Sequence, residues 1–344
     1  MSRFLSIILS LLFVVTVTNF AAAQEESEPK FTLSGSVDTY FRTNFNGPND
    51  LDRGGVLAPA TSFANLPGFS LGMANLIGSY EGEKGGMVMD LVFGPRGTDA
   101  VFASPLYAPD RGSSQIVNQL YAYFNASDNV TITLGNFNTF LGYEVISPTA
   151  NFNYSTSYMF SYGPFSHTGL KVDFSSDSGF SGMLGILNPT DITEFNPTGD
   201  YFVGAQIGYG GFYLNGLFGD GYTQVDLTGG IDVTEKFYLG INATIADAGD
   251  DVGFSGAALY AQYATSDNFK IGARYEFFQD EDVVFGIGQT NASDFTLSGN
   301  YSIGNLTIIP EFRIDTNEND VFTDGDGNAS SSLASFVLAF AYGF

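Results

Sequence analysis

The chain contains no cysteine. Disulfides and thiolate-held metals are therefore excluded. It holds a single histidine, His167, so a histidine-based catalytic relay would have to run through that residue. No G-x-S-x-G elbow accompanies it, and the expectation is a structural histidine in a protein that is not an enzyme. Lys and Arg number only 12 against 37 Asp and Glu, a formal charge of -25. Nucleic-acid binding is excluded on that balance. Charged residues make up 14% of the chain, where a water-soluble domain carries about 25%. Beyond the N-terminal leader, no stretch approaches the roughly 18 apolar residues of a membrane helix. What is present is 44% hydrophobic residues, 15% aromatics and 42 glycines. Aromatic-rich, glycine-rich and charge-poor sequence without long apolar runs fits a β-barrel whose outside faces lipid.

Both ends support that class. Arg3, the apolar run Phe4 to Val17, and Ala21-Ala22-Ala23 before Gln24 form a secretory signal peptide over residues 1–23. No lipobox cysteine follows, so a lipoprotein anchor is excluded. The mature barrel domain is then 24–344. Only residues 24–30 precede the first strand, which argues against an N-terminal plug and energy-coupled transport. At the other end, Phe336, Leu338, Phe340, Tyr342 and Phe344 alternate with Val337, Ala339, Ala341 and Gly343. That period of two marks a strand with one apolar face and one small face. Soluble domains rarely end on an aromatic because termini fray. A strand that closes a membrane barrel is covered by lipid and paired on both edges. The ending resembles the C-terminal signature of bacterial outer-membrane barrels, which implies recognition of Phe344 by the barrel assembly machinery.

Between the ends the chain reads as one hairpin series. Upward strands are predicted to begin near Phe31, Met87, Val130, Phe180, Phe212, Phe237, Phe269 and Leu306. Downward strands are predicted to end near Tyr80, Phe124, Phe174, Tyr209, Val233, Tyr263, Tyr301 and Phe344. The sum is about sixteen antiparallel strands in an up-and-down transmembrane β-barrel, an all-β fold. Short Asx/Gly/Ser turns lie at one end. Longer connections lie near 46–67, 95–114, 139–165, 188–199, 219–223, 247–253, 279–293 and 316–331. This asymmetry is that of outer-membrane barrels, with short periplasmic turns and long extracellular loops. Bulges are expected in the first two strands and at Leu333, where alternation breaks.

The apolar parity carries Phe124, Phe174, Phe180, Tyr209, Phe212, Phe237, Tyr263, Phe269 and Tyr301, each beside a short turn, with Phe344 at the same end. Such a collection is what a periplasmic aromatic girdle requires. Phe41, Phe93, Phe218, Phe277 and Phe295 suggest a weaker girdle at the other boundary. The opposite parity is polar: Tyr238, Gly240, Asn242 and Thr244 in one strand, Thr296, Ser298 and Asn300 in another. Polar-in, apolar-out strands numbering sixteen enclose water. The pore-lining basic residues by parity are Arg42, Arg96, Lys171, Lys270, Arg274 and Arg313. The lining acids are Asp38, Asp90, Asp173, Asp226, Asp232, Glu276, Glu311 and Asp315. Six against eight leaves a weak cation preference, reinforced by acidic loops.

The segment from Phe31 to about Pro189 resembles the OmpL-like β-barrel porins of Gram-negative bacteria, in their Bacteroidetes form. The resemblance rests on Gly68-Phe69-Ser70-Leu71-Gly72-Met73-Ala74-Asn75, on Leu134-Gly135-Asn136-Phe137 leading to Gly142-Tyr143-Glu144, and on Gly163-Pro164-Phe165-Ser166-His167-Thr168-Gly169. It implies an outer-membrane channel for passive diffusion of small hydrophilic solutes and ions, without cofactor. In general porins of this strand number the third long loop folds inward, which makes 139–165 the candidate constriction. Its candidate residues are Glu144, its one charge, with Asn151, Asn153, Tyr154 and Tyr158. Two behaviours are open for it: an amide and aromatic eyelet suited to neutral polar solutes, or a loop packed on the wall through Phe152, Tyr154, Tyr158 and Phe160.

Asp315, Asn317, Asn319, Asp324 and Asp326 resemble a calcium loop in outline. Asp320 stands where an EF-hand needs Gly, and Asp326 replaces the bidentate Glu, so a solvated acidic loop is the expectation. Divalent ions could bridge the acidic loops to lipopolysaccharide. General porins are often trimers, so a homotrimer is one expected assembly. The alternative function is a non-conducting barrel acting as adhesin, receptor or anchor through its loops.

Overall fold

The computed structural model describes residues 30–52, 54–104 and 113–344. The leader and Gln24 lie outside the described residues. Sixteen strands close into an antiparallel barrel, each bonded to its neighbours in sequence, with the first strand sealed against the last. In chain order they are β1 (Lys30–Asn44), β2 (Gly68–Glu81), β3 (Gly85–Phe93), β4 (Val117–Ser127), β5 (Val130–Asn138), β6 (Ser166–Ser175), β7 (Phe180–Leu187) and β8 (Phe202–Tyr209). The second half comprises β9 (Phe212–Gly219), β10 (Tyr222–Thr234), β11 (Phe237–Asp247), β12 (Gly253–Ala264), β13 (Phe269–Glu281), β14 (Gln289–Ile303), β15 (Leu306–Asn317) and, last, β18 (Ser332–Gly343). The final long loop carries a small hairpin, β16 (Phe322–Thr323) with β17 (Ala329–Ser330). Two short helices, α1 (Pro95–Ala100) and α2 (Tyr158–Tyr162), sit in long loops. No described helix is long and apolar enough to cross a membrane.

Alternation decides which side chains face out. On β11, Leu239 and Ile245 are exposed while Gly240, Asn242 and Thr244 between them are buried. The pattern extends round the wall: Phe69 is 91% exposed and Leu184 65%, whereas Arg274 and Glu276 are fully buried. Apolar outside and charged inside inverts the usual soluble protein. The predicted girdle residues lie on this outer surface: Tyr209, Phe344, Tyr263 and Tyr301 are exposed, and Phe237 and Phe269 are partly so. Phe93, Phe218, Phe277 and Phe295 are exposed on the same surface.

Turn chemistry sets the short end. β8 and β9 are joined by Gly210 and Gly211 alone, with φ of 59° and 86°. Positive φ at both central positions is the two-residue turn that matches strand twist, and glycine adopts it without a Cβ clash. At the long end, 139–165 is a connection as predicted. The expected long loop at 219–223 is instead a two-residue turn, Asp220-Gly221, because the β9–β10 pairing runs out to Tyr222 opposite Gly219. The expected irregularity in the first two strands is present: register slips between Val37 and Thr39 in the β1–β2 pair. The bulge expected at Leu333 is absent. Leu333 pairs with Asp315 in regular register and is buried inward. Closure is completed at Phe344, whose N–H donates to the Gly35 carbonyl at 2.9 Å while Gly35 N–H donates to the Phe344 carbonyl at 3.0 Å.

Candidate pore constriction

Loop 139–165 turns into the barrel and touches the wall on four sides. Leu141 joins Phe137, Leu187, Phe202 and Leu217 on β5 and β7–β9. Tyr158 and Met159 join Phe254, Tyr260 and Phe278 on β12 and β13. Tyr154 joins Tyr40, Ile309 and Val337 on β1, β15 and β18. Ile146, Phe160 and Phe165 join Met73 and Val92 on β2 and β3, together with Phe63 from loop 45–67. Phe63 and Ala64 have positive φ of 65° and 55°. For non-glycine residues that is strained, and both side chains are buried in these clusters. The loop therefore enters the lumen and packs on its wall, through Tyr154, Tyr158 and Phe160 as one of the two expectations had it.

Polar clamps fix the loop as firmly as the apolar clusters. Glu276 on β13 accepts the N–H groups of Tyr158 and Met159 at 2.7 and 2.8 Å. These are orphan donors at the start of α2, and Ser157 supplies the next cap by accepting the Phe160 N–H at 3.1 Å. Glu311 on β15 accepts the N–H groups of Tyr154 and Ser155 at 2.7 and 2.9 Å. Arg313 donates to the Thr156 carbonyl at 2.6 Å. Arg274 donates to Glu144 at 2.5 Å, to the Ser155 carbonyl at 2.8 Å, and to Asp294 at 2.6 Å. Glu144 in turn accepts from the Ser157 N–H and hydroxyl. Asn153 donates to the Ser298 hydroxyl at 2.7 Å. The Tyr154 hydroxyl donates to Asp38, and that of Tyr158 to Asp315 at 3.1 Å. Asn151 braces the loop internally, donating to the Val145 carbonyl at 2.5 Å. A carboxylate that receives two successive backbone N–H groups forms charge-assisted bonds, the stronger kind.

The residues assigned to the lining divide into two sets. Asp38, Arg42, Asp90, Arg96, Arg274, Glu276, Glu311 and Arg313 are buried, all but Asp90 spent on holding loops. Arg42 donates to the carbonyls of Leu57 and Asn65 in loop 45–67. Asp90 accepts from Asn118 and Gln119. Arg96 stands on α1, within the connection expected at 95–114. It donates to the Ile146 and Tyr154 carbonyls and lies 4.6 Å over the Phe63 ring. Lys171 and Asp173, paired at 2.6 Å, and Lys270 face open space. The calcium-loop candidates are not brought together: Asp315 is engaged by Arg313, Asn317 accepts from Thr290, and Asp324 accepts the N–H groups of Asp326 and Asn328. Among the described residues no group of three or more possible metal ligands forms. His167 is buried, 2.9 Å from the Thr139 hydroxyl and 5.0 Å from the Phe140 ring.

Sequence reasoning missed Asp294, which anchors both Arg274 and Arg313, the latter at 3.5 Å. It shares the parity of Thr296 and Ser298 at the edge of the connection expected at 279–293, where β14 in fact begins at Gln289. It also missed Asp191, whose carboxylate accepts the Phe165 and Ser166 N–H groups at 2.8 and 2.9 Å and pins the exit of loop 139–165. Burial raises its pKa to about 6.

Between the loop and the β10–β11 wall there remains a gap of about 10 Å³ lined by Gly142, Met159, Gln224, Asp226 and Asn242, about the volume of one water. Asp226 accepts the Gly142 N–H at 2.9 Å and the side chains of Asn215 and Asn242. A cavity of about 670 Å³ lies at the long-loop mouth by Phe285, Asn319, Asp320 and Phe322. Cavities of about 250 and 340 Å³ lie at the short-turn end.

Comparison with known proteins places this architecture. The family profile described as "Putative beta-barrel porin-2, OmpL-like" matches residues 30–344. The chain belongs to this family. It is therefore an outer-membrane β-barrel of the porin class, with its short turns periplasmic and its long loops extracellular. Solved structures share the fold at low identity. OmpT of Vibrio cholerae is 13% identical, matching 94% of this chain and 100% of its own at a TM-score of 0.56. The outer membrane channel DcaP of Acinetobacter baumannii gives the same figures. A mutant of the Rh. blastica porin is 12% identical over 92% of this chain and 100% of its own, with a TM-score of 0.52. No individually curated protein matches the chain.

Proposed function

We propose that the protein is a diffusion porin for small hydrophilic solutes and ions, with loop 139–165 as its constriction. The observation that carries this is the loop itself. It crosses a sixteen-stranded lumen and is clamped by Glu276 and Glu311 through its own backbone. A plug made of one loop leaves cavities on both sides, and the gap of about 10 Å³ between loop and wall is lined by a carboxylate, Asp226. Buried lining charges are largely paired with each other or with loop carbonyls, and Lys171 pairs with Asp173, so charge without an ion-pair partner near the path is sparse: Asp226 at the gap and Lys270 below it. A weak cation preference follows, since the one charge lining that gap is negative. Stable single-channel steps in a planar bilayer test the function, and the reversal potential in a salt gradient tests the preference. Clear anion selectivity would sink the latter.

The four-sided packing of the loop favours one second reading, a barrel closed at rest that acts through its extracellular loops. Silent bilayers with folding shown by a heat-shifted gel band would establish it. For assembly we propose a homotrimer, as one OmpT structure is described as a trimer form. The terminal Phe344 is the contact for the barrel assembly machinery, and the acidic loops meet lipopolysaccharide through divalent ions.

A further inference from the structure

The periplasmic vestibule beneath the constriction has features that diffusion alone does not require. Its two cavities, of about 340 and 250 Å³, share Gln262 and Lys270. They meet under the loop, whose Tyr143 lines one and Phe152 the other. Both rings lie against the wall because glycine stands beneath them. A Cβ on Gly240 would come within 2.7 Å of the Tyr143 hydroxyl, and one on Gly272 within 2.4 Å of the Phe152 ring. Tyr143 is further held by stacking on Tyr260 at 4.1 Å and by its hydroxyl donating to that of Tyr238 at 3.1 Å. Two rigid apolar walls thus flank a polar floor.

That floor is a ladder across four strands. Gln262 is the cross-strand partner of Tyr238, and Lys270 that of Asn300. Asn300 lines the same cavity and donates to the Phe152 carbonyl at 3.1 Å. Lys270 is exposed and makes no ion pair among the described residues. The formal charges at the two cavities, Lys236 and Lys270 against Asp232, Glu235 and Asp267, nearly cancel.

We propose that this vestibule is a subsite for neutral polyhydroxylated solutes of mono- to disaccharide size. This rests on the porin reading and names its solute class. Amides and a lysine suit hydroxyls, which donate and accept at once. Aromatic walls suit the apolar faces of a sugar ring. Near-cancelling charge disfavours a strongly ionic solute, which would meet a repulsive partner whichever its sign.

The test uses maltose and saturation-transfer difference NMR on the folded barrel in detergent, which needs no conduction. Gln262→Leu with Lys270→Met is the variant, since neither side chain holds the loop, and a heat-shifted gel band verifies folding. The expected result is a maltose signal that falls at least severalfold in the variant, with little signal from glutamate or arginine. A maltose signal unchanged in the variant, or stronger signals from the ionic probes, overturns the proposal. Bilayer recording separates the two readings. Conduction without maltose binding refutes the subsite and leaves the porin standing; binding with a silent bilayer refutes the channel and leaves the subsite.

Discussion

If loop 139–165 restricts flow, weakening its carboxylate clamps must loosen it. The informative change is Glu276→Gln, which preserves shape. Glu276 accepts two backbone N–H bonds, from Tyr158 and Met159. A glutamine keeps one acceptor oxygen, so one of those bonds is lost and the other loses its charge assistance. A hydrogen bond to a charged group contributes about 1.5–3 kcal/mol. Losing one raises the population of the released loop by roughly ten- to a hundredfold, at about 1.4 kcal/mol per factor of ten. Arg274 and Asp294 still anchor the neighbouring wall, so the barrel itself should fold, as a heat-shifted gel band will verify. In single-channel recordings the variant should show larger or more frequent open steps and greater current noise. Glu311→Gln, which weakens the matching clamp at Tyr154 and Ser155, should do the same, and the double variant more so. Unchanged current in all three variants would refute the assignment of the loop as the constriction.

Further outcomes follow from single positions. Asp191 has its pKa raised to about 6 by burial, so the folded state binds this proton more tightly than the unfolded chain does. Its charge then costs the fold roughly 3 kcal/mol above pH 6, a cost that disappears as the pH falls from 6 towards 4. Relative to their intrinsic exchange rates at each pH, amides around Phe165 and Ser166 should be better protected at pH 5 than at pH 7.5, and Asp191→Asn should remove that difference in protection. Gly72→Ala places a methyl 1.7 Å from an Asp38 oxygen; overpacking of this kind costs about 1–3 kcal/mol and should lower the temperature of the heat-shifted gel transition. Phe63→Ala removes a buried ring that faces Phe160 and Phe165 at 5.7 and 5.8 Å. It should destabilise the loop by about 3–5 kcal/mol, read as faster proteolysis within 139–165.

The local signals in the chain were enough for the wall. Period-two alternation is a property of neighbouring residues, so Leu239 and Ile245 declare one face and Asn242 and Thr244 the other without reference to distant segments. Turn chemistry is equally local: Gly210-Gly211 specifies its own hairpin. The errors at the wall arose where pairing partners override local pattern. The β9–β10 ladder consumed the loop expected at 219–223, and β14 begins at Gln289, inside the connection expected at 279–293. The lumen was a different matter. Parity said that Arg274, Glu276, Glu311 and Arg313 point inward, but inward was equated with water. Whether an inward charge meets solvent depends on what else enters the barrel. Here the entrant is a loop whose backbone N–H and carbonyl groups had no strand to pair with. It took its partners from these four side chains, over 100 residues away in sequence. The sequence by itself determined the barrel, its strand number and its lipid-facing surface, because those follow from alternation between adjacent residues. Only the tertiary structure decided that the charged wall holds a plug, because that depends on long-range bonds between a loop and strands that no local pattern encodes.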